Sequence, residues 1–533
     1  MARRVAFKQY HQHQPTFLPP SLEELVPAGH LVRTVNRSIE AMDLASLIRA
    51  YPGGGASSYH PEMLLKVIAY AYTQRIYSSR QIAKALRENI HFQWLSGGNR
   101  PDFRTINRFR SSRLKGALDE VFTSLIEILT EAKLVRLQDY FLDGTKIEAN
   151  ANKYSFVWKR AVQKNKTGLR KKVKDLLQHI DDVEKEENDA YGDKDLEEMG
   201  EESEVTPELI RRKVKELNER LKKLNEQTPK KPKSRKVRAL AKATKTLEED
   251  CLTRLERYEQ QEAAFGPRNS YSKTDTDATF MRMKEDHMRN GQLKAGYNVQ
   301  MGTERRYILH WSIHHRPTDT ATLPEHLSEL KERLGRMPDR VIADAGYGSE
   351  ANYEYLESEG IDAYVKYNQY DLQQKRSFHK QIFRVENLPY DPEQDRYTCP
   401  AGGHLNFVGE ESSVSDNGYR SHRRVYEAEH CDGCAVREQC HKSQYNRRIR
   451  ISHRLAALQA RARERLDSEE GQSLRRQRYT DVETVFAQIK HNRGFRRFFL
   501  RSRDKVHIEY GLVSLAHNLA NLHNDSRWAA RPN

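Results

Sequence analysis

Cysteine is scarce in this chain. There are five in 533 residues, and four of them lie between positions 399 and 440. That scarcity excludes a disulfide-stapled scaffold, and the crowding of four makes a metal site the better reading. Long apolar runs are absent too. Nothing approaches the roughly 18 consecutive apolar residues of a membrane span, and the amino terminus MARRVAFKQYHQHQPTF lacks the apolar run of a signal peptide. The expected compartment is therefore the cytosol. An acidic surplus is also missing: 91 Lys and Arg oppose 75 Asp and Glu, for a formal charge of +16 and a pI near 9.4. A polyanionic partner is the first expectation. The length allows several hydrophobic cores, so three or four modules are expected.

Residues 15 to 130 alternate apolar-periodic segments with breaks at YPGGGASS and LSGGNRPD, the pattern of a bundle of short helices. SSRQIAKALRENIHFQWL places Ile82, Leu86, Ile90 and Trp94 on one helical face. The next segment opens with Arg104, Arg108, Arg110 and Arg113 as a basic helix. Two helices joined by a Gly-rich turn, the second one basic, fit a helix-turn-helix reader of DNA, and a plain bundle with a solvated basic face is the alternative. From 157 to 265 the chain becomes Lys- and Glu-rich. Ile210, Val214, Leu217, Leu221 and Leu224 form a heptad seam, a second runs through Val237, Leu240, Thr244, Leu247 and Cys251, and Val173, Leu177 and Ile180 form an earlier one. The intervening TPKKPKSRKVR reads as a phosphate-attracting or simply solvated linker. From 293 onward, strands alternate with helices, which implies an α/β sheet.

Upstream, LVRLQDYFLDGTKIEAN reads as one more strand of that sheet, and two of its strands carry an aspartate after an apolar run and before glycine: Asp143 in YFLDGTKI and Asp344 in VIADAGYG. Each alone reads equally as a turn cap. A third carboxylate, Glu483, heads VETVFAQIKHNRGFRRFF, whose Val482, Val485, Phe486 and Ile489 suit packing on the same sheet. Three converging carboxylates suit a hard divalent cation, and a pair of such ions clamps the attacking and leaving oxygens of a phosphoryl transfer. Lys490, two turns on, with Arg493 and Arg497 beyond it, would meet neighbouring phosphates. A surface glutamate paired with nearby arginines is the alternative.

Taken together, SSRQIAKAL, FQWLSGGNRPDFRTINRFR, FLDGTKIEANANKY, LKAGYNVQ, IADAGYGSEANYEYL and VETVFAQIKHNRGFRRF resemble bacterial insertion-sequence transposases of the DDE superfamily. The resemblance implies a ribonuclease-H-like catalytic domain with Asp143, Asp344 and Glu483 binding Mg²⁺ or Mn²⁺, two ions in all. It implies water and then a DNA 3′-hydroxyl as nucleophiles, the element's ends and target DNA as double-stranded partners, a homodimer or higher assembly, and action at the nucleoid of a bacterial cytosol. The Tyr-Arg-Glu-Lys signature of one branch is matched in part. Glu483 and Lys490 fit, whereas Arg476 stands where tyrosine is expected and Tyr479 where arginine is, leaving Arg475 and Arg478 to supply the charge.

Cys431 and Cys434 have the tight spacing that grips one zinc, and Cys399 and Cys440 would close a structural site, with His404 and His441 as substitutes; reduced, unliganded cysteines are the alternative. The expected organisation is a helical DNA-binding domain over 1–130, a first core segment over 131–156, a coiled-coil insertion over 157–265 and a second core segment over 266–372. A zinc insertion over 373–445 and a helical end over 446–533 with Glu483 complete it. The expected function is a DNA transposase that cuts and joins. A metal-dependent nuclease without joining and a catalytically silent DNA-binding repressor are the rivals.

Overall fold

The computed structural model describes residues 21–51, 57–191, 205–227, 235–283, 291–415 and 417–525. The segment TPKKPKSRKVR falls mostly outside them, as do the side chain of Leu224 and most of the YPGGGASS break. The chain divides into two compact units, one of residues 1–145, 299–313 and 318–533 and the other of 146–298 and 314–317.

In the first unit the amino-terminal half is helical. Helix Pro61–Thr73 starts on proline at its first turn, where the missing N–H costs nothing, and is buried around nearly its whole circumference. It packs against the long carboxy-terminal helix Arg503–Asn524. The bundle expected over 1–130 therefore shares a core with the end of the chain. The face through Ile82 and Leu86 does not continue to Ile90 and Trp94. Asn89 accepts the His91 N–H at 2.9 Å and starts a new helix, Ile90–Leu95, that buries Phe92 and Leu95 instead.

The mixed sheet of this unit sets strand Asp139–Glu148 beside Leu293–Glu304 on one side and Arg340–Ala343 on the other, with Asp362–Val365 beyond. Asp139–Glu148 and Arg340–Ala343 run parallel, Phe141 opposite Ile342. Leu293–Glu304 also pairs with Tyr307–His314 through the tight turn Arg305–Arg306, both residues at positive φ (52° and 68°), as a two-residue hairpin requires. A mixed sheet with many helices is compatible with a ribonuclease-H-like domain. A separate five-stranded antiparallel sheet spans Tyr390 to Ile451, with Leu405, Tyr426, Cys431 and Ile449 in its apolar cluster.

The second unit holds helices Lys159–Tyr191, Pro207–Gln227, Arg235–Lys245 and Thr253–Phe265. Val173, Leu177, Ile180, Ile210, Val214, Leu217, Leu247 and Cys251 share one buried cluster, so these seam residues are satisfied within a single chain. The unit is wider than the insertion expected over 157–265. Strands Phe156–Trp158 and Ser270–Ser272 pair with each other, and Thr279–Arg282 pairs with the first residues of Leu293–Glu304.

Candidate active site

Phe141 and Ile342 are registered partners in the sheet, and each is followed two residues later by an aspartate, Asp143 and Asp344. Side chains two apart in a strand share a face, so the pairing brings both carboxylates to one side. Asp143 accepts the Gly144 N–H at 2.8 Å. Asp344 caps the short 3₁₀ turn Ala345–Tyr347 by accepting the Gly346 N–H at 2.8 Å.

Glu483 reaches this face by the packing that its helix pattern predicts. Val482 lies in one buried cluster with Phe141, Ile342, Tyr364 and Leu474, and Phe486 packs against it. Asp481, itself buried, accepts the Arg305 N–H at 3.0 Å and the Gln477 side-chain amide at 3.1 Å, which ties the segment to the hairpin turn. The helix is irregular here: Tyr479–Glu483 and Gln488–Asn492 are π-helical turns. Glu483 keeps a half-exposed side chain, whereas Lys490 is buried at 8% exposure. Lys490 is therefore not part of the solvent-facing basic surface in this conformation.

Arg478 links two of the three carboxylates. Its Nη2 donates to Asp143 Oδ2 at 2.8 Å and its Nη1 lies 3.9 Å from Glu483 Oε1. Arg478, expected among the DNA-binding arginines, spends its guanidinium on these carboxylates here. Burial raises the Asp143 carboxyl to about 6. Arg478 opposes the rise, and the Asp344 and Asp319 carboxylates add to it.

Asp319 was not expected. It follows strand Tyr307–His314 in TDTATLPEH, a stretch that reads from sequence as the start of a helix. Its Oδ1 accepts the Gln300 amide at 2.8 Å, and Gln300 in turn accepts a hydrogen bond from the buried Tyr347 hydroxyl. The available signal was weak: Asp319 is one more aspartate beyond a strand end, and Tyr347 stands in the DAGYG segment.

Among the described residues, no three His, Cys, Asp or Glu side chains are gathered tightly enough to hold an ion as they stand. The donor set still fits a divalent cation. Asp143, Asp344 and Glu483 supply hard oxygens, and the Arg478 guanidinium already offsets the charge of Asp143 and Glu483. The thiols give a comparable picture. Cys431 and Cys399 belong to one apolar cluster, Cys440 is electrostatically coupled to both, and the Arg447 backbone and guanidinium donate to Cys431 Sγ at 3.3 Å and Cys440 Sγ at 3.0 Å. Cys434 donates its N–H to the Cys431 carbonyl at 3.5 Å, and His404 Nδ1 is buried without a hydrogen-bond partner.

The expected basic surface is split. Arg104 and Arg108 are exposed and line a groove with Ser79, Arg80, Phe103 and Phe499. Arg110, in contrast, is 3% exposed and donates to the Tyr72 hydroxyl at 3.0 Å and the Tyr77 carbonyl at 2.7 Å. Arg113 donates to the Ala50 carbonyl at 2.6 Å over the Tyr51 ring. Those two belong to the core and its edge, not to a basic face. Farther on, Arg497 is exposed and Arg493 half-buried.

This arrangement defines a candidate phosphoryl-transfer centre on a mixed sheet. Two family models match parts of the chain: a transposase DDE domain matches residues 398–523, which include Glu483 and the four clustered cysteines, and a transposase domain (DUF772) matches residues 20–112, which include Arg104 and Arg108. The two matches bear out the resemblance to insertion-sequence transposases of the DDE superfamily. That class comprises nucleotidyl-transferring enzymes that act on DNA and use divalent ions. No curated protein and no solved structure matches the chain. No helix among the described residues is long and apolar enough to cross a membrane.

Proposed function

We propose that the protein is a DNA transposase that binds the ends of its own insertion sequence, cuts them and joins them to target DNA. The observation that carries this is the site around Asp143: a buried carboxyl raised to about 6, beside Asp344 and Asp319, with Arg478 bridging it to Glu483. A folding-only role leaves such a concentration of like charge unexplained. Asp143, Asp344 and Glu483 would hold one or two Mg²⁺ or Mn²⁺ ions. When bound, such ions polarise the phosphate and lower the pKa of a bound nucleophile. In the first step water adds to phosphorus and a 3′-hydroxyl leaves; in the second, that hydroxyl attacks a target phosphodiester and the target strand's own 3′-oxygen leaves. This chain's own residues orient the strand: the exposed Arg104, Arg108 and Arg497 would take backbone phosphates. Arg478 would hold the carboxylates together until ions replace it. Cys399, Cys431, Cys434 and Cys440 would hold a structural zinc, supported by N–H donors on two of the sulfurs. A dimer or larger assembly would bring two ends together.

The test uses a labelled element end, cleavage with Mg²⁺ and binding with Ca²⁺. Glu483→Gln, Asp143→Asn and Asp344→Asn should each retain binding and lose more cleavage than the roughly 100-fold that a supporting residue costs. Cleavage by Glu483→Gln at the parent rate would reduce the glutamate to a helix-surface charge. A parent protein that cuts but never joins pre-cut ends would favour the nuclease alternative. One that binds without cutting would favour the silent repressor.

A further inference from the structure

Asp319 needs an explanation that its helix does not supply. The turn into helix Leu323–Leu334 uses the Asp319 carbonyl, which accepts from the Thr322 N–H at 3.1 Å and its hydroxyl at 2.8 Å. The side chain is turned elsewhere. Its Oδ1 takes the Gln300 amide at 2.8 Å, and Gln300 is fully buried. A carboxylate only accepts, so the amide nitrogen must face Asp319 and the amide oxygen must face Tyr347, whose hydroxyl then donates. Each group in the chain Tyr347, Gln300, Asp319 thus has one allowed orientation. Tyr347 is the last residue of the 3₁₀ turn that Asp344 caps, so the chain ties Asp319 to the turn of a proposed metal ligand.

Two glycines show how close the approach is. A Cβ on Gly144, the residue after Asp143, would overlap Asp319 Oδ1 and Gln300 Nε2. A Cβ on Gly346 would stand 2.9 Å from Asp344 Oδ1 and 3.7 Å from Asp319 Oδ2. Asp319 is held between the turns that carry Asp143 and Asp344. Like charges brought together this way repel unless a cation offsets them.

We propose that Asp319 is a fourth carboxylate serving the divalent cation of this centre, with Gln300 and Tyr347 as positioning residues; this rests on the phosphoryl-transfer reading above. The probe is Mn²⁺ alone, titrated into the full-length protein without DNA and followed by loss of the free-ion electron paramagnetic resonance signal. Asp319→Asn keeps the shape and removes the charge, and it should weaken Mn²⁺ binding by about 10–100-fold. Tyr347→Phe removes one oxygen and should act in the same direction, less strongly, and should add nothing to Asp319→Asn. If Asp344→Asn weakens Mn²⁺ binding while Asp319→Asn matches the parent, the fourth-carboxylate assignment is overturned and the centre stands. If Asp319→Asn does not fold, Tyr347→Phe decides alone, and parent-like Mn²⁺ affinity overturns the relay. Should Asp143→Asn and Asp344→Asn also bind like the parent, the centre itself fails and takes this inference with it.

Discussion

The carboxylate centre and the arginine run of the amino-terminal bundle are opposite cases of how a fold handles charge. In the first, Asp143, Asp319, Asp344 and Glu483 come from four separate stretches and are brought near one another by sheet register and helix packing. In the second, four arginines within ten positions are separated. Arg104 and Arg108 face solvent, while Arg110 is buried and Arg113 is turned onto the Ala50 carbonyl. Proximity in sequence therefore says little about shared chemistry. The environment of each charge decides: like charges near a buried carboxyl raise its pKa, whereas a guanidinium that spends its donors on buried carbonyl and hydroxyl groups works as a structural cross-link.

The sharpest way to break this comparison is Arg110→Ala. The guanidinium supports Tyr72 and Tyr77 and offsets the fully buried Glu509, whose carboxyl burial raises to about 7. Removing it should cost on the order of 3 kcal/mol, the range for an uncompensated buried charge, read as a lower urea midpoint. Unchanged stability would return Arg110 to a solvated basic face.

A second prediction extends the comparison to the thiols, which lie 41 positions or less apart, in the connections between the strands of one antiparallel sheet. Protein purified without chelators should carry about one zinc per chain, and Cys431→Ser should lose it and expose residues 395–445 to protease. Metal analysis that finds none, with the thiols reduced, would leave the cysteines as packing residues.

The smallest effect is expected from the exposed pair. Arg104→Ala combined with Arg108→Ala should leave the melting temperature unchanged and lower the salt slope of DNA binding by about two phosphate contacts. An unaltered slope would make the groove lined by these arginines a bystander.

The sheet strands, the aspartates that follow their apolar runs and the apolar face of the Glu483 helix were legible because each follows a local period. Val482, Val485 and Ile489 are fully buried, as that period requires. Cys251 was legible for the same reason, as a seam residue with no exposure. The burial of Lys490 at 8% exposure was not, because the local period, which Val482 and Ile489 keep, does not say what packs over the neighbouring face. Nor was the break at Asn89, where a side-chain cap outcompeted continuation of an otherwise helical segment.

By itself, the sequence determined the excess of positive charge, the apolar periods that make strands and helices, and the oxygen- and sulfur-bearing side chains available to hold ions. These depend on composition and on neighbours along the chain. Only the tertiary structure decided that Arg478 faces Asp143 and Glu483, that Arg110 is buried while Arg104 is not, and that Asp319 joins the aspartates through Gln300 and Tyr347. Those outcomes depend on which surfaces meet, and a buried charge or hydrogen-bond donor takes its partner from whatever element packs against it.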